Sequence, residues 1–368
     1  MIYLDSGATS FYKPSGVYRA VQKAMVSCAN PGRGGYRAAG NAAEVVFGCR
    51  EQAGKLFDCL PEQVVLTTSC THGLNLAIRS LVKPGNTVVV SGFEHNAVTR
   101  PLYAIGAEIR VAGRRLFDWE DTLAAFEKQL EGADAAVFTH VSNVFGYILP
   151  VKQMAALCRD RGVPFVIDAA QSAGSLPLSL QALGADFIAM PGHKGLLGPQ
   201  GTGLLLCKGS AEPLLYGGTG SASRPQTMPE ELPDRLEAGT LNVPGYAGLR
   251  EGLRYLNLSG VDRIFQREHR LLRRCVHGLQ QMGMQVYAGP HQAATVSFLP
   301  GMDCEEAAEK LALSGIAVRS GLHCAPYAHE SAGTLETGTV RVSIGYGNFE
   351  GQIAAFLRAA SKLPRFPG

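Results

Sequence analysis

The chain has 368 residues, of which 46% are hydrophobic and 18% are charged, and its formal net charge is +3 at pH 7. These values are typical of a folded globular protein of about two domains, and so small a charge argues against a nucleic-acid partner. No apolar segment is long enough to span a bilayer, and the first residues begin a strand-like pattern instead of a signal peptide. We therefore expect no association with a membrane.

Nine cysteines are scattered along the chain without CxxC pairs. An odd number without paired spacing argues against a disulfide framework and a structural zinc site, and it favours a reducing compartment. We therefore expect a cytoplasmic protein without a metal site, in which most cysteines are small buried apolar residues.

The first two thirds of the chain predict an α/β fold. Apolar spacing predicts helices near residues 15–28 and 41–59, and the Pro- and Gly-rich segment between them cannot form regular structure. Strand and helix patterns then alternate, with strands at residues 64–68, 87–91, 108–112, 135–141, 165–169, 187–190 and 203–207. This alternation predicts a large, mainly parallel, seven-stranded sheet with helices on both faces.

The last third of the chain has a different character. Residues 211–245 have an irregular pattern without helical or strand periodicity. After them the sequence predicts a smaller α+β unit, with helices near residues 246–256, 261–282, 304–313 and 349–363 and strands at 285–287, 295–299, 317–319 and 339–344.

A lysine lies just beyond one of the predicted strands. Lys194 lies in residues 189–195, between an apolar strand pattern and a Gly-rich turn. A lysine in such a position can lose hydration, which lowers its pKa and makes it a nucleophilic amine towards an aldehyde. From position alone, a solvated loop lysine is an equally good interpretation.

An aspartate ends another buried strand pattern, at the sheet edge where α/β folds bind ligands. Pyridoxal 5′-phosphate requires an amine for a Schiff base and a carboxylate facing its ring nitrogen. The segments Asp168-x-x-Gln171 and Gly192-His193-Lys194 resemble the class V aminotransferase family, within it the cysteine desulfurase and selenocysteine lyase branch. A TIM-barrel aldolase also uses a Schiff-base lysine, but eight regular strand–helix units are not apparent here.

The resemblance covers nearly the whole chain and implies the fold of pyridoxal-phosphate-dependent transferases of fold type I. It implies a large cofactor-binding α/β domain of residues 16–245 and a small α+β domain of residues 1–15 and 246–368. Glu237-Ala238-Gly239-Thr240 is similar to a family segment that crosses a dimer interface. The resemblance therefore implies a homodimer with shared active sites, in which Thr240 binds the phosphate held by the neighbouring subunit.

The resemblance also implies roles for single residues of the large domain. Lys194 attaches the cofactor, Asp168 faces the ring nitrogen and Gln171 bonds the phenolate oxygen. His95 stacks on the ring and is a candidate catalytic residue for proton transfer. The phosphate ligands implied are Cys70, Thr71, His72 and His193, and Asn143 is a donor to the cofactor or the substrate. By pattern alone, the segment around Thr71 is an ordinary helix N-cap and Asn143 an ordinary turn residue.

One cysteine, Cys324, lies in a loop bounded by glycine and proline, beside a histidine and near Arg319. This setting favours a thiolate, although an inert loop thiol fits the pattern equally well. The resemblance implies that Cys324 is the nucleophile that accepts sulfur, in the branch with a short cysteine loop. It further implies that Arg341 clamps the substrate carboxylate through its planar fork and that Arg33 lies near the substrate.

The resemblance, with these residues in place, implies a pyridoxal-phosphate-dependent cysteine desulfurase. It converts L-cysteine to L-alanine and forms a persulfide on Cys324 for transfer to an acceptor protein. The alternatives are a selenocysteine lyase, another class V lyase, epimerase or aminotransferase, and a non-catalytic sulfur-relay partner. Four departures from the family pattern leave the preferred substrate open: Pro191 for a small hydroxyl residue, His72 for an acidic residue, Leu322 for a second histidine, and Ser6-Gly7 for Asn-Ala.

Overall fold

A computed structural model describes residues 1–32, 34–209, 211–221 and 223–366. The first half of the chain forms β1 (Ile2–Tyr3), α1 (Ser15–Ser27), α2 (Arg37–Phe57), β2 (Val64–Thr67), α3 (Cys70–Leu81), β3 (Thr87–Ser91), α4 (Asn96–Ile105), β4 (Glu108–Ala112), α5 (Trp119–Gln129), β5 (Ala135–Thr139), α6 (Val151–Arg161) and β6 (Phe165–Asp168). The second half forms α7 (Leu180–Leu183), β7 (Phe187–Pro191), β8 (Gly203–Cys207), α8 (Val243–Ser259), α9 (Val261–Gln281), β9 (Gln285–Tyr287), β10 (Thr295–Leu299), α10 (Cys304–Leu313), β11 (Ile316–Ala317), β12 (Arg319–Gly321), α11 (Pro326–Ala332), β13 (Thr339–Ser343) and α12 (Glu350–Ala360).

Seven strands form the large sheet, in the order β2-β8-β7-β6-β5-β3-β4. Strand β8 runs antiparallel to both of its neighbours, and the remaining pairs are parallel. Most of these strands are continuous apolar runs, because helices cover both faces of the sheet. The predicted α/β fold with a seven-stranded sheet is confirmed, and each strand agrees with its predicted range to within two residues at either end.

Helices α2, α6 and α8 pack on one face of the large sheet, and α3 and α4 pack on the other. A second, antiparallel sheet has the order β12-β13-β10-β9 and is covered by α9, α10 and α12. The chain's first strand, β1, pairs in parallel with β11, and Asp5 bridges to Ser343 in β13. The N-terminal segment therefore lies beside the second sheet. None of the helices in the described part of the chain is both long and apolar enough to cross a membrane.

Two details of the smaller unit differ from the sequence-based expectation. The strand expected at residues 317–319 is two short strands, β11 and β12, which pair with different partners. Helix α11, after the cysteine loop, was not predicted, because its seven residues are too few for a periodic pattern. The proposed domain boundary at residue 246 stays a prediction; since α8 packs in the core of the large sheet and α9 in that of the second, the packing favours a boundary near Gly260.

Candidate active site

Eight of the predicted site residues line one cavity at the carboxyl edge of the large sheet. Parallel strands of one sheet end at a common edge, and the residues that follow them meet there. The cavity has a volume of about 520 Å³ including its mouth, within the usual range for small-molecule sites. Its predicted lining residues are Cys70, Thr71, His95, Asn143, Asp168, Gln171, His193 and Lys194.

Asp168 is the last residue of β6 and is buried beneath the cavity. Its Oδ1 accepts hydrogen bonds from the backbone N of Ala170 at 2.8 Å and from the Cys70 thiol at 3.4 Å. Among the described residues, no donor bonds to Oδ2, so one carboxylate oxygen remains for a ligand. The thiol of Cys70 is engaged by Asp168, so its predicted contribution to phosphate binding is limited to its backbone N–H.

Lys194 lies three residues beyond β7, where Gly192 turns the chain. A side chain at position 192 would collide with the hydroxyl of Thr202, and so the turn that presents Lys194 requires glycine. Burial lowers the pKa of Lys194, and the carboxylate of Asp168 opposes this change. The result is an amine that gives up its proton more readily than a solvated lysine, as nucleophilic attack on an aldehyde requires.

His95 and His193 are held as neutral imidazoles on two sides of the cavity. Burial lowers the pKa of His95, and it lowers the pKa of His193 to about 4. The Nδ1 atom of His95 accepts from the backbone N of Ala97 at 3.0 Å at the N-cap of α4, so Nε2 carries the proton. The Nδ1 atom of His193 lies 3.1 Å from the hydroxyl of Thr9. Each ring is therefore oriented by a polar contact of its Nδ1 atom.

The N-terminal end of α3 lines the cavity, and the first N–H groups of a helix suit a phosphate. Ser69 is the N-cap and accepts from the backbone N of His72 at 3.1 Å, while Thr71 lines the cavity. The ring of His72 turns towards Thr68 instead, with Nδ1 3.4 Å from the Thr68 hydroxyl, and it does not line the cavity. The predicted group of phosphate ligands is therefore brought together except for the His72 side chain.

Gln171 lines the cavity and is bonded to the N-terminal segment. The Gln171 amide Nε2 donates to the carbonyl of Gly7 at 2.9 Å. One N–H of the same nitrogen and the amide oxygen are left for a ligand. The bond to a cofactor phenolate stays a prediction.

The fork of Arg341, the predicted clamp for the substrate carboxylate, is paired with groups of the protein in this structure. Its Nη2 donates to Asp5 Oδ1 at 2.7 Å and its Nη1 to the carbonyl of Asn143 at 3.0 Å. Asp5 also accepts from Arg319 Nε at 3.0 Å. The pairing arises because β1 and the bridge to β13 bring Asp5 beside Arg341. Two arginines therefore share one aspartate here; neither lines the cavity, and the substrate contact of Arg341 stays a prediction.

Cys324 is exposed, unlike the other eight cysteines, which are buried or half-buried. Burial raises the thiol pKa of Cys49 and Cys158 to about 12, which leaves those thiols protonated and unreactive. Cys324 does not line the cavity, but its loop is attached to it, because the Asn143 side chain donates to the carbonyl of His323 at 2.8 Å.

Thr240 and Arg33 are the remaining predicted residues. Thr240 is exposed and does not line the cavity of its own chain. The segment before it is fixed by Glu237, which is buried and forms a two-pronged ion pair with Arg50, at 2.8 and 2.6 Å. Arg33 lies outside the described residues, so its predicted substrate contact stays a prediction. Sequence reasoning missed Arg50 and Asp5, because both act through partners distant in the chain.

A second cavity lies behind Lys194 and Gln171, between the two sheets, and contains the buried carboxyl of Glu268. Burial raises the pKa of Glu268 to about 8, against the opposing charge of Arg267. The folded protein thus holds a neutral acid that ionises near 4.5 when unfolded. The contribution of Glu268 to stability is fully present below pH 4.5 and is lost as the pH rises through about 8.

We expect Glu268→Gln to stabilise the protein at pH 9 by about 2–4 kcal/mol and to change it little at pH 5, because the amide imitates the neutral acid. Urea unfolding at both pH values measures the difference. The exposed Glu336→Gln variant is the control. Burial also raises the pKa of Glu94 to about 8. Because Glu94 is unchanged in this variant, part of the pH dependence of stability should remain. Equal stabilisation at both pH values would contradict the assignment.

The seven-stranded sheet and the position of the lysine and aspartate at its carboxyl edge define the class of protein. This sheet, with a lysine and an aspartate at its carboxyl edge, is the architecture of pyridoxal-phosphate-dependent transferases of fold type I, as the sequence predicts.

The chain belongs to the class V aminotransferase family, whose model, "Aminotransferase class-V", matches residues 2–356. It is 33% identical to a probable cysteine desulfurase of Methanothermobacter thermautotrophicus, over 96% of this chain and 92% of the relative. It is 31% identical to a probable cysteine desulfurase of Pyrococcus abyssi, over 99% and 94% of the two chains. Among solved structures, an apo cysteine desulfurase of Thermococcus onnurineus superposes with a TM-score of 0.90 at 32% identity, covering 98% of this chain and 94% of the other.

Proposed function

We propose that the chain is a pyridoxal-phosphate-dependent cysteine desulfurase, which forms L-alanine from L-cysteine and a persulfide on Cys324. The observation that carries this proposal is the meeting of Lys194 and Asp168 in one cavity to which Asn143 attaches the Cys324 loop. The names of the relatives favour the same activity.

The side chains of the cavity suit pyridoxal phosphate in their chemistry. Lys194 offers an amine of lowered pKa for the aldehyde, and Asp168 keeps Oδ2 available for a protonated ring nitrogen. The first turn of α3, with Thr71, and the neutral ring of His193 suit the phosphate. His95 offers a flat face and an Nε2 proton beside the ring. When bound, the cofactor supplies an electron sink for charge that develops on the substrate Cα.

In the proposed reaction, Arg341 and Arg319 fix the carboxylate of L-cysteine through the cluster they form with Asp5. Lys194 would move the proton at the substrate Cα, since its amine has a lowered pKa and lies in the cavity that would hold the cofactor. The Cys324 thiolate attacks the substrate sulfur, so that an S–S bond forms as the C–S bond breaks. The electron pair of the C–S bond stays with the carbon fragment, which gains protons and becomes alanine. The persulfide on Cys324 keeps the sulfur, and no other oxidant or reductant is needed.

The proposal includes a homodimer, in which the exposed Thr240 of each chain reaches the phosphate site of the other. The sulfur acceptor is proposed to be a protein, because Cys324 lies at the surface where a second thiol can approach. We place the reaction in the cytoplasm, where a reducing environment keeps the nine cysteines free.

The test is a measurement of alanine and sulfide formed from L-cysteine, with reductant and added pyridoxal phosphate. We expect wild type to form both products and Cys324→Ala to lose at least 99% of each, because no thiolate remains to attack the substrate sulfur. Cys28→Ala, which removes a half-buried thiol elsewhere, is the matched control and should retain the wild-type rate.

Three outcomes separate the alternatives. Cofactor binding without alanine from L-cysteine, together with turnover of selenocysteine, would favour a selenocysteine lyase. Full activity of Cys324→Ala would remove Cys324 from the reaction. Absence of pyridoxal phosphate binding would contradict the enzymatic proposal and favour a non-catalytic sulfur-relay partner.

A further inference from the structure

The loop that carries Cys324 is held in an unusual backbone conformation. His323 and Cys324 are consecutive and have φ angles of +50° and +58°, in the left-handed region that non-glycine residues rarely adopt. Such a conformation persists only where surrounding contacts determine it. The contacts of this loop therefore decide where the Cys324 thiol lies.

Two hydrogen bonds from the large domain hold the two strained residues. The Asn143 side-chain Nδ2 donates to the carbonyl of His323 at 2.8 Å. The backbone N of Asn96, at the start of α4, donates to the carbonyl of Cys324 at 2.8 Å. Both bonds join the large domain, which carries the cofactor cavity, to a loop that belongs to the second sheet. The loop is thus fixed relative to the cavity by these two donors.

The second sheet contacts the same loop from its other side. The His323 ring is buried, with Nε2 3.3 Å from the hydroxyl of Thr339. The backbone N of Ala325 donates to the carbonyl of Leu322 at 2.9 Å and closes the turn. The side-chain bond from Asn143 is the part of this arrangement that a conservative substitution can remove while the backbone remains intact.

Asn143 also contacts the cofactor cavity and Arg341, unlike the other residues that bond to the loop. It lines the cofactor cavity beside His95 and Lys194, and its backbone carbonyl accepts from Arg341 Nη1 at 3.0 Å. Its Nδ2 keeps one further N–H and its Oδ1 is available to a ligand. One buried amide therefore touches the cavity, the arginine cluster and the loop of the nucleophile.

We infer that Asn143 is a positioning residue, which holds the Cys324 loop in its left-handed conformation and thereby sets the thiol relative to the cavity. The inference rests on the proposed function for its catalytic consequence, and on the structure alone for the state of the loop. It differs from the role expected from sequence, in which Asn143 contacts only cofactor or substrate. Release of this bond frees the loop without removing Lys194, Asp168 or Arg341.

The test uses Asn143→Asp, which keeps the shape of the side chain and replaces the N–H donor by an oxygen that repels the His323 carbonyl. Hydrogen exchange of residues 320–326 and the alkylation rate of Cys324 by iodoacetamide are measured on the full-length protein without substrate. We expect loop exchange to rise at least tenfold and the alkylation rate to change at least threefold. With L-cysteine, kcat for alanine should fall at least tenfold while KM changes less than threefold.

Asn257→Asp is the matched control, because its side-chain amide also donates to a backbone carbonyl, that of Gln52, far from the loop. It should leave loop exchange and alkylation unchanged. Asn143→Ala replaces Asn143→Asp if the latter does not fold. If loop exchange stays at the wild-type level while affinity for pyridoxal phosphate falls, Asn143 is a cofactor ligand only and the inference is wrong. Wild type that makes no alanine would overturn the proposed function, yet the loop measurements would still decide the role of Asn143.

Discussion

Replacing Lys194 by alanine should remove the covalently attached cofactor and lower the rate of alanine formation about a thousandfold. A loss of this size is within the range of rate contributions made by positioned proton-transfer groups. The physical reason is the environment of the amine. Burial lowers the pKa of Lys194, and the chain turns at Gly192 to present it to the cavity. No other lysine lines the cavity in the described part of the chain, so no second amine can replace it.

Borohydride reduction followed by mass spectrometry measures the attachment, and product assays measure the rate. Lys208→Ala is the matched control, since Lys208 follows the neighbouring strand β8 but is exposed. It should keep both the attachment and the rate. A cofactor that is still fixed to the Lys194→Ala protein by reduction would show that another amine is the site of attachment. A rate within tenfold of wild type would exclude Lys194 from proton transfer.

The position of the site could be predicted from sequence, because it depends on local patterns. Asp168 and Lys194 each follow an apolar run, and parallel strands of one sheet end at the same edge. The period of the apolar residues therefore predicts both the sheet and the place where its chemistry lies. The same holds for His95, which follows β3 as the N-cap of α4.

What the sequence could not predict are contacts between residues far apart in the chain. Asp5 pairs with Arg341 across 336 positions, and Asn143 reaches His323 across 180. No periodicity or spacing records such pairs, since they arise only when the second sheet docks against the first. For this reason the pairing of Arg341 with Asp5 and the attachment of the cysteine loop were both missed.

The ion pair of Arg50 and Glu237 is such a distant contact and carries the second large prediction. Both side chains are buried, with bonds at 2.8 and 2.6 Å, and Glu237 Oε1 also accepts from the backbone N of Leu66 at 2.6 Å. Glu237→Ala leaves a buried guanidinium without its counter-charge and the N–H of Leu66 without its acceptor. We expect a loss of about 3–5 kcal/mol in the free energy of unfolding, measured by urea denaturation.

Two further variants distinguish an unpaired buried charge from simple loss of an ion pair. Glu212→Ala removes the partner of Arg235 in the same region, but that pair is half-exposed and should contribute less than about 1 kcal/mol. Arg50→Met combined with Glu237→Met removes both charges and should recover a large part of the lost stability, since neither charge is left alone in the core. If the double variant is as unstable as Glu237→Ala, the stability comes from the bonds themselves and not from charge compensation. Because Glu237 lies three residues before Thr240, the same substitution should also loosen the segment proposed to reach the neighbouring subunit.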